Sequence, residues 1–199
     1  SADAFSCGEL TFINREGIAD EFCSCNNRIG KCSFWSPVMK SWSEKSNIPL
    51  TDYKKLRNQF EGNRSYLRVL KNQLFPSQMF RTYIESTELL YDTIYENCGT
   101  SFIIDSSKQA TRPFVLTKFA EVQVLHICRN FRGVLNSEKK NVVVDLKDGI
   151  ETSSPPKRTL KVLLDWLISN LTCACTALVF NGRRIHFRYS VLLLPLSTN

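Results

Sequence analysis

Residues 102–137 read FIIDSSKQATRPFVLTKFAEVQVLHICRNFRGVLNS, and the fold expected for the chain follows from them. Two short apolar runs, 102–104 and 122–128, each stop at a polar cluster. The first ends in Asp105-Ser106-Ser107-Lys108, the second in Arg129-Asn130-Phe131-Arg132-Gly133. Runs of this length without polar alternation suit strands buried on both faces, as in a parallel sheet. Open α/β sheets gather ligands beyond the carboxyl ends of such strands, where both clusters fall. The expected architecture is therefore α/β, a parallel sheet flanked by helices in three layers. Cys128, inside the second run, is expected to be a buried, inert thiol.

The second cluster has the sharper chemistry. Arg129 leaves the strand end, and Ser137 follows eight residues later on an expected helix. A planar, permanently charged guanidinium can fork onto a phosphate. A hydroxyl and the free N–H groups of a helix start can complete an anion site. A basic turn on a solvated face is the competing explanation of the same residues.

The stretch from His126 to Ser137, HICRNFRGVLNS, closely resembles the element with which PAPS-dependent sulfotransferases hold the 3′-phosphate of 3′-phosphoadenosine-5′-phosphosulfate (PAPS). The Arg and Ser of that element have the same separation as Arg129 and Ser137. The resemblance implies a P-loop NTPase-like sulfotransferase fold, with these two residues as cofactor contacts. It also implies transfer of a sulfuryl group from PAPS to a hydroxyl or amine of a carbohydrate or small-molecule acceptor. Asp105-Ser106-Ser107-Lys108 resembles the family's motif at the acceptor side of the cleft. Sulfuryl transfer needs a base for the acceptor proton and positive charge on the transferred oxygens, as phosphoryl transfer does. Asp105 is the candidate base and Lys108 the candidate charge stabiliser. A turn-capping Asp105 and a solvated Lys108 are the plainer alternatives.

Upstream of this stretch, residues 1–35 look irregular, with an extended piece expected near Cys7 to Ile13. Cys23-x-Cys25-x6-Cys32 could supply three thiolates to zinc, with Cys7 as a fourth. The spacing differs from the paired C-x2-C of zinc knuckles. A disulfide among the three, or cysteines without metal, explain the pattern as well, and no metal is assigned. Gly8-Glu9-Leu10, Cys23-Ser24-Cys25 and Cys32-Ser33-Phe34-Trp35 also resemble a subset of the sulfotransferases, just after the first βα unit. Three helices follow. One begins near Tyr53 behind Thr51-Asp52, with Leu56 and Phe60 inward. One carries Leu67, Leu70 and Leu74 and stops at Pro76. One starts at Ser77 with Phe80, Tyr83, Ile84, Thr87, Leu90, Tyr91 and Ile94 as its stripe and Gly99 as its stop. Arg112-Pro113 opens a further helix.

Downstream, residues 138–156 are polar and read as a surface loop. Residues 157–171 form an amphipathic helix with Leu160, Leu163, Leu164, Leu167 and Leu171 on one face. Trp166 and Asn170 match the family's Trp-x3-Asn, with Trp166 expected in the core. Residues 184–194 read as a strand and resemble the family's Arg-Tyr-Glu-Asp-Leu phrase, with Ser190 and Val191 in place of the acidic pair. The sequons at Asn63 and Asn170 are short patterns of high chance frequency.

The whole chain sets looser bounds. Its 199 residues suit one sulfotransferase-like domain, and 43% hydrophobic with 23% charged residues is ordinary globular composition. The formal charge of +7 favours phosphorylated ligands, but the basic residues are scattered and no nucleic-acid partner is expected. No apolar run is read as a membrane span, and the compartment is left open between cytoplasm and Golgi lumen. Residues 1–50 contain no Gly-rich Arg/Lys-Ser-Gly-Thr-Thr phrase of the kind that cradles the 5′-phosphosulfate. The expectation is thus a sulfotransferase domain truncated at its first βα unit, with weak PAPS binding and little turnover alone. The alternative is a non-catalytic nucleotide-binding or scaffolding remnant of that family.

Overall fold

The computed structural model describes residues 3–10, 13, 23, 25–62, 65–139, 144–145, 151–152 and 158–179. Contacts divide the chain into two compact units, Ser1–Val122 and Gln123–Asn199.

Among the described residues, the first unit is built on a short parallel ladder and five α-helices. Strand β1 (Ala4–Ser6) pairs with β2 (Phe102–Ile104), Phe5 opposite Ile103. The ladder continues past both strands, because Cys7 N donates to Ile104 O at 2.9 Å and Ser106 N donates to Gly8 O at 2.8 Å. The chain between the strands forms helices α1 (Trp35–Ser46), α2 (Leu50–Phe60), α3 (Tyr66–Leu74) and α4 (Gln78–Cys98). A parallel pair needs such a crossover, since no tight turn can return the chain in the same direction.

Helix α4 is the spine of this unit. Its start and stop are those expected: Ser77 Oγ accepts from Phe80 N, and Gly99 takes the left-handed conformation at φ 62°. Phe80, Tyr83, Thr87, Leu90 and Ile94 are buried along it, against α1 and α2. Trp42 and Tyr53 meet edge to face at 5.0 Å, as do Phe60 and Phe80. The polar atoms of this aromatic core are satisfied. Trp42 Nε1 donates to Ser86 O at 2.8 Å, and the Tyr53 hydroxyl lies 3.2 Å from Thr87 Oγ1. Each such side chain contributes about 1.5–3 kcal/mol by leaving water. A short helix, α5 (Arg112–Leu116), follows β2 with Pro113 in its first turn, as expected.

Three expectations for this unit are corrected. Helix α3 turns Val69 and Asn72 inward and leaves Leu67 and Leu74 exposed; Asn72 Oδ1 then accepts from Ser77 N and Oγ, joining α3 to α4. Leucine spacing was a poor guide to that face, because a buried Asn has local partners here. Strand β2 is exposed at Phe102 and Ile104 and only half-buried at Ile103. Burial on both faces requires cover on both sides, and among the described residues β2 has one neighbouring strand. Strand β1 lies where an irregular segment was expected; three residues are too few to show a period.

At the start of the second unit, residues 123–128, like Val122 before them, form no strand and have no ladder partner among the described residues. Leu125 and Ile127 are exposed and Cys128 is half-buried, in place of the buried strand and buried thiol expected. Helix α6 (Phe131–Lys139) follows and packs on α7 (Thr159–Val179). Strands β3 (Val144–Asp145) and β4 (Glu151–Thr152) form an antiparallel pair within the stretch read as loop. Helix α7 runs eight residues beyond the expected end, because Thr172-Cys173-Ala174-Cys175-Thr176-Ala177 offers no Gly or Pro to stop it. Its residues Thr159–Leu178 are long and apolar enough to cross a membrane by length and composition, which the sequence reading did not anticipate. Val162, Thr176 and Ala177 are its buried residues, whereas Leu160, Leu164, Leu167 and Leu171 of the expected apolar face are exposed. The strand expected at residues 184–194, with Ser190 and Val191, lies outside the described residues.

Candidate functional site

The turn after β2 is organised around one carboxylate. Asp105 Oδ1 accepts from Ser107 N at 2.9 Å and from Ser107 Oγ at 2.5 Å. Its Oδ2 accepts from the Tyr91 hydroxyl at 2.5 Å and from Arg112 Nε. The same guanidinium pairs through Nη1 with Glu61 Oε1 at 2.5 Å, and that oxygen also accepts from the Tyr83 hydroxyl. Arg112, Glu61 and Asp105 are all nearly fully buried. Burial works against the Asp105 charge, but the Arg112 guanidinium and the Ser107 and Tyr91 donors outweigh it, so the carboxyl stays below its ordinary value. Burial first, then the neighbouring Glu61, pushes the Tyr83 hydroxyl well up, so it remains a donor. Glu61 Oε2 has no hydrogen-bond partner among the described residues.

Lys108, three residues on, has the opposite surroundings. Its side chain is 81% exposed and pairs with Glu9 Oε1 at 2.6 Å. The structure thus sets the two candidate catalytic residues in different environments, Asp105 in the interior and Lys108 in solvent. Glu61, Tyr91 and Arg112, which determine what Asp105 can do, were not singled out as partners from sequence. Glu61 lies 51 residues from Arg112, and no local pattern announces such a pair.

In the second unit Arg129 and Ser137 are both exposed. Trp166 Nε1 donates to the backbone oxygen of Arg129 at 2.9 Å, and Phe131 meets the Trp166 ring at 5.8 Å. Trp166 thereby ties α7 to the start of α6, a more specific task than filling the core. Asn130 Oδ1 accepts from Arg132 N at 2.9 Å, capping the first turn of α6. The Arg129 side chain reaches forward over this turn: its Nε lies 3.1 Å from where a Cβ of Gly133 would stand. Residues 129, 133 and 137 are spaced by four, so Gly133 and Ser137 share one stripe of α6 and the guanidinium lies along it. No acidic residue occupies the first turn of α6, and the Arg129 guanidinium makes no hydrogen bond or ion pair among the described residues. Positive charge beside the positive end of a helix is an unrelieved electrostatic arrangement that an anion would relieve. Gly133 was quoted in the motif without a task; the four-residue spacing was the signal that could have assigned it one.

A third cluster lies in the first unit. The sulfurs of Cys23, Cys25 and Cys32 all lie within 4.8 Å of one another, and none is in a disulfide. Hydrogen bonds from Asn27 and contacts with the other two sulfurs bring the exposed Cys25 thiol down to about 7. Cys7 is not a member of the group. It follows β1, where burial, then Asp105 and Cys98, push its thiol up to about 12. Comparison of the chain with protein-family models, curated proteins and solved structures found no match.

Proposed function

We propose that this chain carries the nucleotide contacts of a sulfuryl-transfer site. Arg129 and Ser137 hold the 3′-phosphate of PAPS, from which a sulfuryl group passes to a hydroxyl or amine of a carbohydrate or small-molecule acceptor. One observation carries this proposal: a guanidinium without an ion-pair partner among the described residues, lying over Gly133 along the α6 stripe that ends in Ser137. A phosphate set there would accept two N–H bonds from Arg129 and one O–H bond from Ser137. The 3′-phosphate does not react; holding it orients the 5′-phosphosulfate. In the transfer, the acceptor oxygen or nitrogen attacks sulfur, the bond from sulfur to the bridging phosphate oxygen breaks with its electrons going to that oxygen, and the acceptor's proton passes to solvent. The departing product is adenosine 3′,5′-bisphosphate.

Lys108, exposed and paired with Glu9, belongs to the first unit and is not assigned to this site. Asp105 is not assigned the proton. A carboxylate that already accepts four hydrogen bonds, with its acidity strengthened, is a weak base. Its proposed task is to hold the turn after β2. That commitment of Asp105 favours a second possibility, nucleotide binding without turnover.

Calorimetric titration tests the nucleotide assignment. Adenosine 3′,5′-bisphosphate should bind roughly tenfold or more tightly than adenosine 5′-monophosphate, which lacks the 3′-phosphate. Equal affinities would remove the assignment. Release of the bisphosphate from PAPS in the presence of acceptor separates the enzyme from the binding remnant.

A further inference from the structure

We propose that Cys23, Cys25 and Cys32 form a zinc site that anchors the segment leading into α1. Tetrahedral zinc with bonds of about 2.3 Å to sulfur sets its ligands about 3.8 Å apart. The sulfurs of Cys25 and Cys32 are 3.6 Å apart, and those of Cys32 and Cys23 are 3.7 Å apart. Two of the three sulfur pairs therefore already match the edge of such a tetrahedron, the third lies within 4.8 Å, and no disulfide joins them.

The backbone holds them there. Cys23 N donates to Asn27 O at 2.8 Å and Asn26 N donates to Cys23 O at 2.9 Å, closing a tight loop around Cys25. Asn26 takes the left-handed conformation at φ 63° that this turn requires. Ile29–Lys31 is a short 3-10 turn that returns the chain to Cys32, immediately before α1. N–H groups point at the sulfurs: Trp35 N lies 3.5 Å from Cys32 Sγ, and Asn27 Nδ2 lies 3.8 Å from Cys25 Sγ. Such donors stabilise thiolates around a metal and orient them. Thiolate donors and a tetrahedral arrangement select zinc over magnesium or calcium.

The described residues supply three ligands, and the fourth position is left to a solvent molecule. Binding is balanced as three thiols and one zinc ion giving a trithiolate complex and three protons, with no change of oxidation state. The site would pin this loop, poor in regular structure, to the amino end of α1, whose Trp35, Val38 and Trp42 enter the core.

The full chain, purified without chelator and dialysed, should retain about one zinc ion per molecule. Titration of the metal-free chain with zinc alone should release protons and protect the three thiols from alkylation. Cobalt should give thiolate-to-metal charge-transfer absorption. Cys32 is buried, so Cys32→Ser risks misfolding; Cys25 is exposed, and Cys25→Ser should keep the native circular dichroism yet weaken zinc at least tenfold against a chromophoric chelator. Cys98→Ser, outside the group, should bind zinc as the parent does. The proposal is overturned by a folded parent that takes up no zinc, by a Cys25→Ser protein of unchanged affinity, or by a disulfide among the three in the freshly isolated chain.

Discussion

Asp105 and Arg129 are the two charged residues that close the apolar runs 102–104 and 122–128, and the structure treats them in opposite ways. Asp105 is buried, ion-paired with Arg112 and hydrogen-bonded on both oxygens. Arg129 is exposed, lies over a glycine, and has no ion-pair partner among the described residues. The same local pattern, a short apolar run ended by polar residues, thus yields one internally committed charge and one open to a ligand. A charge whose partners are all internal holds the fold; a charge without them is where binding is to be sought.

The largest way to break this contrast is to remove the buried cation. Arg112→Met leaves Asp105 and Glu61 buried without their counter-charge and should lower stability by about 3–5 kcal/mol in urea unfolding of the first unit. Arg129→Ala, exposed, should move the stability of the second unit by no more than about 0.5 kcal/mol. Similar losses for the two would erase the distinction.

Acid should expose the same difference. The Asp105 carboxyl titrates lower in the folded chain than in the unfolded one. Its contribution is fully present above the unfolded value of about 3.9 and is lost as the pH falls through the folded value. Asp105→Asn should be less stable near neutrality and should lose stability less steeply below about pH 4. A parallel pair of stability curves would show that the charge of Asp105 does not matter.

Gly133 sharpens the other side. A methyl group there meets the Arg129 side chain at 3.1 Å, and the flexible guanidinium can swing aside. Gly133→Ala should therefore raise α6 stability by up to about 1 kcal/mol while weakening adenosine 3′,5′-bisphosphate. Gains in both would show that seating the guanidinium over the glycine does not matter for the ligand. The smallest effect belongs to Lys108→Ala. Loss of an exposed pair with Glu9 should cost about 0.5 kcal/mol or less, measurable against Glu9→Ala in a double-mutant cycle.

What could be read before the structure follows the range of the interactions. Helix α4 was legible from Ser77 to Gly99 because its cap, stripe and stop are all local. So was the opening of α5 at Arg112-Pro113. The network around Asp105 was not, since Tyr91, Arg112 and the Glu61 that pairs with Arg112 meet Asp105 only through the packing of four separate segments. The leucine faces of α3 and α7 misled for a related reason: hydropathy marks what is able to be buried, and neighbours decide what is. Arg129 and Ser137 were proposed from resemblance, while their sharing a stripe with Gly133 is a matter of helix geometry.

The most direct test is the affinity of the parent chain and of Arg129→Ala for adenosine 3′,5′-bisphosphate, measured by calorimetry at one salt concentration. Loss of charge-assisted bonds worth about 1.5–3 kcal/mol should weaken binding roughly 10- to 100-fold, with the fold unchanged. An Arg129→Ala chain that binds the nucleotide as tightly as the parent would contradict the account.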